Sequence, residues 1–414
     1  MAYLKNIIIF LVAFFVTFLS VGQERTLNDY IRQGLSNSPL MKDYNNQILS
    51  NSTDSLLARA GYKPQVNVNG YMMYAPILNG YGYSEPITNG QNLTGTINVT
   101  QNIFNKKTRQ AEYDQYGIEN QSLSNARKIS ANELEKEITG QYLTACAAFL
   151  EASYQNEVLI AMKEEGRLLG TLVEKGAYRQ NDWLSFRVEI ASMERATNDL
   201  VLQFRKELAA LNILCGIPDT GSYKLSLPDL KIKSHLQIEN SPLFYRYVID
   251  SMKIVNEKVR IDRKYQPSFN WFSDAGLVNN EPRYLYQNFG LSLGMSMTLP
   301  VYDGNRRKLS YSRLKSLEDT RKNYEDFFLL QYSLQLHQLE NELDQTRRLA
   351  GDNEEQVKLA IELVGQDKIL LSNGSVSVTD YLMAIKNLKE ARQNQTRYRV
   401  RELQIINEIN FWRH

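Results

Sequence analysis

The chain has 414 residues, of which 48 are Lys or Arg and 46 are Asp or Glu, for a formal net charge of +2. A balance this even creates no field for nucleic acid, and after the first apolar run no segment has the length and hydrophobicity of a transmembrane helix. Its two cysteines, Cys146 and Cys215, fall in separate helical segments and are expected to be buried, inert thiols and not a disulfide.

Residues 1–22 read as a signal peptide. Lys5 supplies the charge, Ile7 to Leu19 the apolar core, and Ser20-Val21-Gly22 the small residues of a cleavage site. The run is short for a membrane anchor, and no Cys at the junction invites lipid attachment. A first structural repeat is expected over 23–216: a short helix with Pro39 just inside its start, strands at Gln65 to Ala75 and Asn92 to Phe104, a long helix from Lys106 to Val173, and a helix over 183–214. The stretch 217–239, with Pro218 and Pro228, reads as a linker wrapping the helical body. A second repeat over 240–414 would hold a helix opening at Pro242, strands at Ser268 to Ala275 and Asn288 to Tyr302, a long helix from Arg306 to Leu371 and a helix over 381–412.

The duplication is visible in the residues. NSPL at Asn37 returns at Asn240 and YKP at Tyr62 returns as YQP at Tyr265, both at an offset of 203. QNIFNKK returns as LPVYDGNRR, and EKGAYRQNDWL returns as LSNGSVSVTDYL, pairing Asp182 with Asp380, both at an offset of 198. The offset changes between the two strands of each half, so the first hairpin loop is longer, where insertions are tolerated. No proline interrupts Lys106 to Val173 or Arg306 to Leu371. Each segment fits one continuous helix on the order of 100 Å long. Gly117, Gly140, Gly166 and Gly170 leave open that the first is broken by loops.

The segment from Asn288 to Tyr302 alternates without a slip. Phe289, Leu291, Leu293, Met295, Met297, Leu299 and Val301 share one face, opposite Gly, Ser and Thr. Such a face suits lipid. About 14 residues at roughly 3.3 Å each, tilted near 40°, rise on the order of 35 Å, enough to cross an outer membrane. Tyr62, Phe104, Tyr265 and Tyr302 bracket the strands as an interfacial aromatic girdle would. Four strands cannot close a barrel, and unpaired edges in lipid cost several kcal/mol per group. Two copies would make eight strands and three would make twelve; periodicity does not choose.

The order signal, NSPL, YKP, strand pair, long helix, DWLSFRVE or TDYLMAIKNLKEAR, with LNILCGIPD closing the first half and YDGNRR joining strand to helix, resembles the TolC-type outer-membrane efflux proteins. The resemblance spans nearly the whole mature chain. It implies a mainly α fold with a β membrane portion: long coiled-coil-like helical hairpins plus four strands per chain, building a trimeric 12-stranded β-barrel and a 12-helix periplasmic tube. It also implies an outer-membrane location in a Gram-negative bacterium, a homotrimer, a periplasmic adaptor, an inner-membrane transporter, and service as a passive duct for efflux or type I secretion. A periplasmic coiled-coil scaffold without a pore is the alternative, and the long apolar strand face argues against it.

By this resemblance the turns holding Tyr178, Arg179 and Asp182, and Thr379 and Asp380, lie at the periplasmic tip and act as a gate. Threefold symmetry would turn each aspartate into a ring of carboxylates. Both aspartates also suit helix N-caps, and the two roles are compatible. Met383 stands where a further acidic residue is common in the family. No catalytic set, cofactor motif or metal cluster is expected, because His235, His337 and His414 are isolated.

Overall fold

The computed structural model describes residues 25–83, 90–103, 106–219, 221, 223–234 and 238–413. The expected signal peptide, Phe104, His235 and His414 lie outside these. In chain order the elements are α1 (Leu27–Asn37), α2 (Pro39–Gly61), β1 (Gln65–Tyr74), β2 (Gln91–Ile103), α3 (Lys106–Glu174), α4 (Gln180–Leu214), α5 (Pro242–Lys264), β3 (Ser268–Asn279), β4 (Phe289–Thr298), α6 (Arg306–Ser372) and α7 (Val378–Trp412). The fold is mainly helical with four antiparallel strands. Helix α1 is an addition to the expected set. Thr26 accepts from the Asp29 N–H at 3.4 Å while Asp29 accepts from the Thr26 N–H at 3.1 Å, so a capping box starts it.

The chain divides into two compact units. One takes residues 25–42, 128–241 and 328–413; the other takes 43–127 and 242–327. Helices α3 and α6, of 69 and 67 residues, contribute to both. Neither breaks. Gly166 and Gly170 sit inside α3 because α4 packs against them: a Cβ at Gly170 would lie 3.1 Å from Trp183 Nε1, and one at Gly166 would lie 2.9 Å from Ile190 Cδ1. The helix propensity lost at glycine, about 1 kcal/mol each, is offset by this close approach.

In the second unit the strands form one sheet in the order β1-β2-β3-β4, every pair antiparallel. The register aligns one apolar face. Val68, Ile97, Ala275 and Leu291 stand side by side, as do Met72 and Leu93 at one end and Ile103, Phe269 and Met297 at the other. The opposite face carries Asn67, Asn98, Asp274 and Ser292, with Asp274 accepting from the Ser292 hydroxyl. Gly294 lies under the Phe272 ring, where an added Cβ would come within 2.3 Å of Phe272 Cζ. The glycine on β4 thus makes room for the bulky neighbour on β3.

Strand β4 is shorter than its alternation predicts. The ladder ends at Ser268↔Thr298, not at Tyr302. Pro267 comes directly before Ser268 and Pro300 two residues after Thr298, and neither has an N–H to donate. The ten residues of β4 rise about 25 Å at the same tilt, still the height of a barrel's apolar band. Within the first hairpin loop, Asn79 and Gly80 both take positive φ, and Leu78 and Tyr81 exchange backbone bonds of 2.9 and 3.0 Å around them. That is the Asn-Gly chemistry of a tight two-residue turn.

In the first unit, Tyr30 of α1 packs with Ile138, Tyr142 and Cys146 of α3 and Phe204, Leu208 and Leu211 of α4. The segment after α4 fastens onto these helices. Leu225 buries into that cluster, and the Tyr142 hydroxyl donates to Ser226 O at 3.0 Å. Asn410 of α7 holds the segment at a second point, donating to Lys231 O at 2.9 Å and accepting from the Lys233 N–H at 2.7 Å. Leu336, Leu339 and Leu343 of α6 meet Ile405, Ile406 and Ile409 of α7 at helical spacing. Each such buried side chain contributes about 1.5–3 kcal/mol. Asn410→Ala would strand a carbonyl and an N–H together. It should destabilise the fold by about 1–3 kcal/mol, read as a lower midpoint in denaturant unfolding.

Candidate functional site

The apolar sheet face is open along its whole length. All seven residues named on the last strand and its extension are exposed, from Leu299 at 47% to Val301 at 91%. On β1, Val66, Val68, Met72 and Tyr74 are likewise exposed, as are Ile97 and Ile103 on β2. An apolar surface spread over four strands has no counterpart on an ordinary monomer in water. Within it Trp271 Nε1 donates to Gln101 Oε1 at 3.0 Å, and Gln101 Nε2 donates to Tyr62 O at 3.0 Å. Among the described residues the outer edges of β1 and β4 have no strand partner.

Where the strands meet the helices, the expected aromatics enter polar networks. Tyr62 donates its hydroxyl to Glu112. Tyr265 donates to Asp303, which, together with the Arg307 N–H bond, holds the Asp303 carboxyl below its ordinary range. Arg307 lies 5.3 Å from the Tyr265 ring centre and bonds Asp262 at 2.6 Å. Tyr302 is exposed. Polar tips on apolar rings suit a boundary between water and a less polar phase.

The two helical turns belong to the first unit. Asp182 and Asp380 are not N-caps; the caps are Arg179 and Ser377, and each aspartate sits three residues inside its helix. Asp182 accepts from the Arg179 N–H at 3.1 Å, and Asp380 accepts from the Ser377 hydroxyl at 2.6 Å. Both helices therefore begin earlier than expected, at Gln180 and Val378. A carboxylate in the first turn also faces the positive end of the helix dipole.

Tyr178 is the candidate that reaches from one turn to the other. Its hydroxyl lies 2.8 Å from Val376 O and 3.1 Å from Leu371 O. Burial, and then the nearby Asp182 charge, push the phenol up from its ordinary value, so it remains a donor. The side chains of Arg179 and Thr379 make no hydrogen bond among the described residues.

Below the turns, structure joins residues that sequence spacing could not pair. The rings of Phe186 and Tyr381 stack at 6.4 Å. Glu165 is buried and takes Lys368 Nζ at 2.6 Å. The Tyr381 phenol is pushed up to about 12, by burial first and then by the Glu165 and Asp367 charges. No signal in the chain links Glu165 to Lys368, because only the fold of α3 against α6 brings them together.

Among the described residues no group of His, Cys, Asp and Glu could hold a metal, and no helix is long and apolar enough to cross a membrane. Cys146 and Cys215 are free and buried. Burial pushes the Cys146 thiol up to about 12 and the Cys215 thiol up to about 11.

A four-stranded sheet with one open apolar face and two long helical hairpins in one chain is a fold shared with solved outer-membrane channels. The chain superposes on CusC, described as undergoing conformational changes with folding and transmembrane channel formation, at TM-score 0.78 and 12% identity, covering 94% of this chain and 92% of that one. It matches the Campylobacter jejuni CmeC outer membrane channel at TM-score 0.73 and 14% identity, covering 94% and 86%. The open state of the Neisseria gonorrhoeae MtrE outer membrane channel matches at TM-score 0.76 and 12% identity, covering 93% and 88%. No family model matches the sequence, and no curated protein matches it. The fold expected from the resemblance to TolC-type proteins is the one found.

Tyr178→Phe should loosen the turn that follows α6, raising amide hydrogen exchange over 372–378 while leaving the strands protected. Both thiols should resist a disulfide reagent at pH 8, far below the pH at which either ionises in the fold, and react promptly once denaturant exposes them.

Proposed function

We propose that this chain is one protomer of a homotrimeric outer-membrane exit duct, serving a tripartite efflux or type I secretion system through a periplasmic adaptor protein and an inner-membrane transporter. The observation that carries the reading is the exposed apolar face of a four-stranded sheet whose two outer edges are unpaired. Lipid is the solvent in which that face is stable. Only neighbouring copies can saturate the edges there.

β1 and β4 run in opposite directions, so β4 of one copy meets β1 of the next as another antiparallel pair. A ring of copies then closes without a free edge. The polar face favours the larger number. Asn, Ser, Thr and Gly dominate it, with Asp274, and its few large side chains, Tyr71, Met73, Phe272 and Val278, are too sparse to fill an eight-stranded barrel as a dry core. Three copies give about twelve strands and a wetted lumen. Such a duct performs no chemistry of its own; it lowers the barrier to crossing by providing water along the path.

The turns serve as the gate in this reading. Tyr178 ties them together within one protomer, and three copies of Asp182 and Asp380 form carboxylate rings that concentrate cations and repel anions. Capping and gating then use the same carboxylates.

Purified in detergent, the chain should migrate as a trimer and conduct in planar bilayers. A monomer soluble without detergent overturns the duct. Asp380→Asn keeps an acceptor for the Ser377 hydroxyl and removes only the charge, so block by multivalent cations should weaken several-fold while helicity is unchanged. Block identical to the parent protein removes the gate and leaves the duct.

A further inference from the structure

Near the end of the β-ladder, α3 and α5 enclose a cleft of about 700 Å³ within the second unit. Its walls combine two chemistries. Ile103 and Phe269, the last residues of the apolar face, form one side; Arg260, Arg263 and Lys264, from the last turns of α5, form the other. One carboxylate, Glu112, also lines it and already accepts from the Tyr62 hydroxyl.

Positive charge there exceeds its partners. Arg260 bonds Glu257 at 2.8 Å. Arg263 finds only a neutral amide, donating Nη1 to Gln266 Oε1 at 3.0 Å, while its Nε is buried with no partner. Among the described residues no carboxylate lies within ion-pair distance of Lys264. A buried donor left unmade is costly, more so on a charged group.

The neighbouring helix starts point the same way. α3 opens with Lys106-Lys107 and α6 with Arg306-Arg307-Lys308, and neither has an acid in its first turn. These cations add positive charge at this level, and on α6 it is met in part by Asp262, which pairs with Arg307, and by Asp303, which accepts from the Arg307 N–H.

We propose that the cleft binds the headgroup of an anionic phospholipid from the leaflet at this end of the sheet, with an acyl chain lying along Ile103 and Phe269 and the phosphate against Arg263 and Lys264. The occupant must be apolar at one end and anionic at the other. A lipid is both, and the open face delivers it to the cleft. The proposal rests on the membrane reading of the sheet.

Trp271 stands on the same face, beside Gln101 and Met295, and reports on neighbouring lipid. The full chain carrying Trp183→Phe and Trp412→Phe, which leaves Trp271 as its sole tryptophan, is placed in vesicles with brominated acyl chains. Brominated phosphatidylglycerol should quench Trp271 with a relative binding constant about ten-fold above brominated phosphatidylcholine. Adding Arg263→Gln and Lys264→Gln should abolish the preference while phosphatidylcholine still quenches. Equal quenching by both lipids in the parent overturns the headgroup site and leaves the duct standing. Quenching by neither overturns both. Loss of the preference on adding equimolar inorganic phosphate identifies a free-phosphate site and overturns the lipid.

Discussion

Backbone hydrogen bonding at the edges of the sheet is the constraint from which the rest follows. Four strands pair internally and leave one edge on β1 and one on β4. In water such edges would be solvated, but the apolar face beside them is unsuited to water. In lipid the face is at ease and the edges are not. In the proposed duct an assembly resolves both conditions, and the need for it lies in the strand chemistry itself.

Duplication shapes the helical part and is then broken where it matters. Trp183 and Tyr381 occupy equivalent places in the two repeats and both pack near Phe186. Tyr178, however, is matched by Val376, and its hydroxyl reaches the carbonyl of that same residue. The two turns thus meet at equivalent positions, Tyr178 supplying a side-chain hydroxyl as donor and Val376 its backbone carbonyl as acceptor.

Much of the architecture was legible in the chain. The unbroken alternation from Phe289 identified β4 and its outward residues, since a period of two admits no other regular structure. The prolines marked the helices by their absence. Less legible were the ends. β4 stops at Thr298 because its partner strand begins after Pro267, and pairing is a property of two strands together. Helix α1 has only eleven residues, too few for its periodicity to stand out, although Thr26 and Asp29 form the capping box that starts it. Asp182 and Asp380 read as caps, whereas Arg179 and Ser377 hold those positions and the aspartates bond back to them from within the helix.

By itself the sequence determined the periodic properties: two repeats, two long helices, and strands greasy on one side. These follow from local steric rules acting on neighbours a few residues apart. Tertiary structure alone decided what distant residues do together. It set Lys368 against buried Glu165, packed Leu225 into the cluster of α1, α3 and α4, and brought Ile103 to the cleft that Arg263 lines. Such pairings depend on crossing geometry between segments up to some two hundred residues apart, as with Glu165 and Lys368, and no spacing along the chain encodes them.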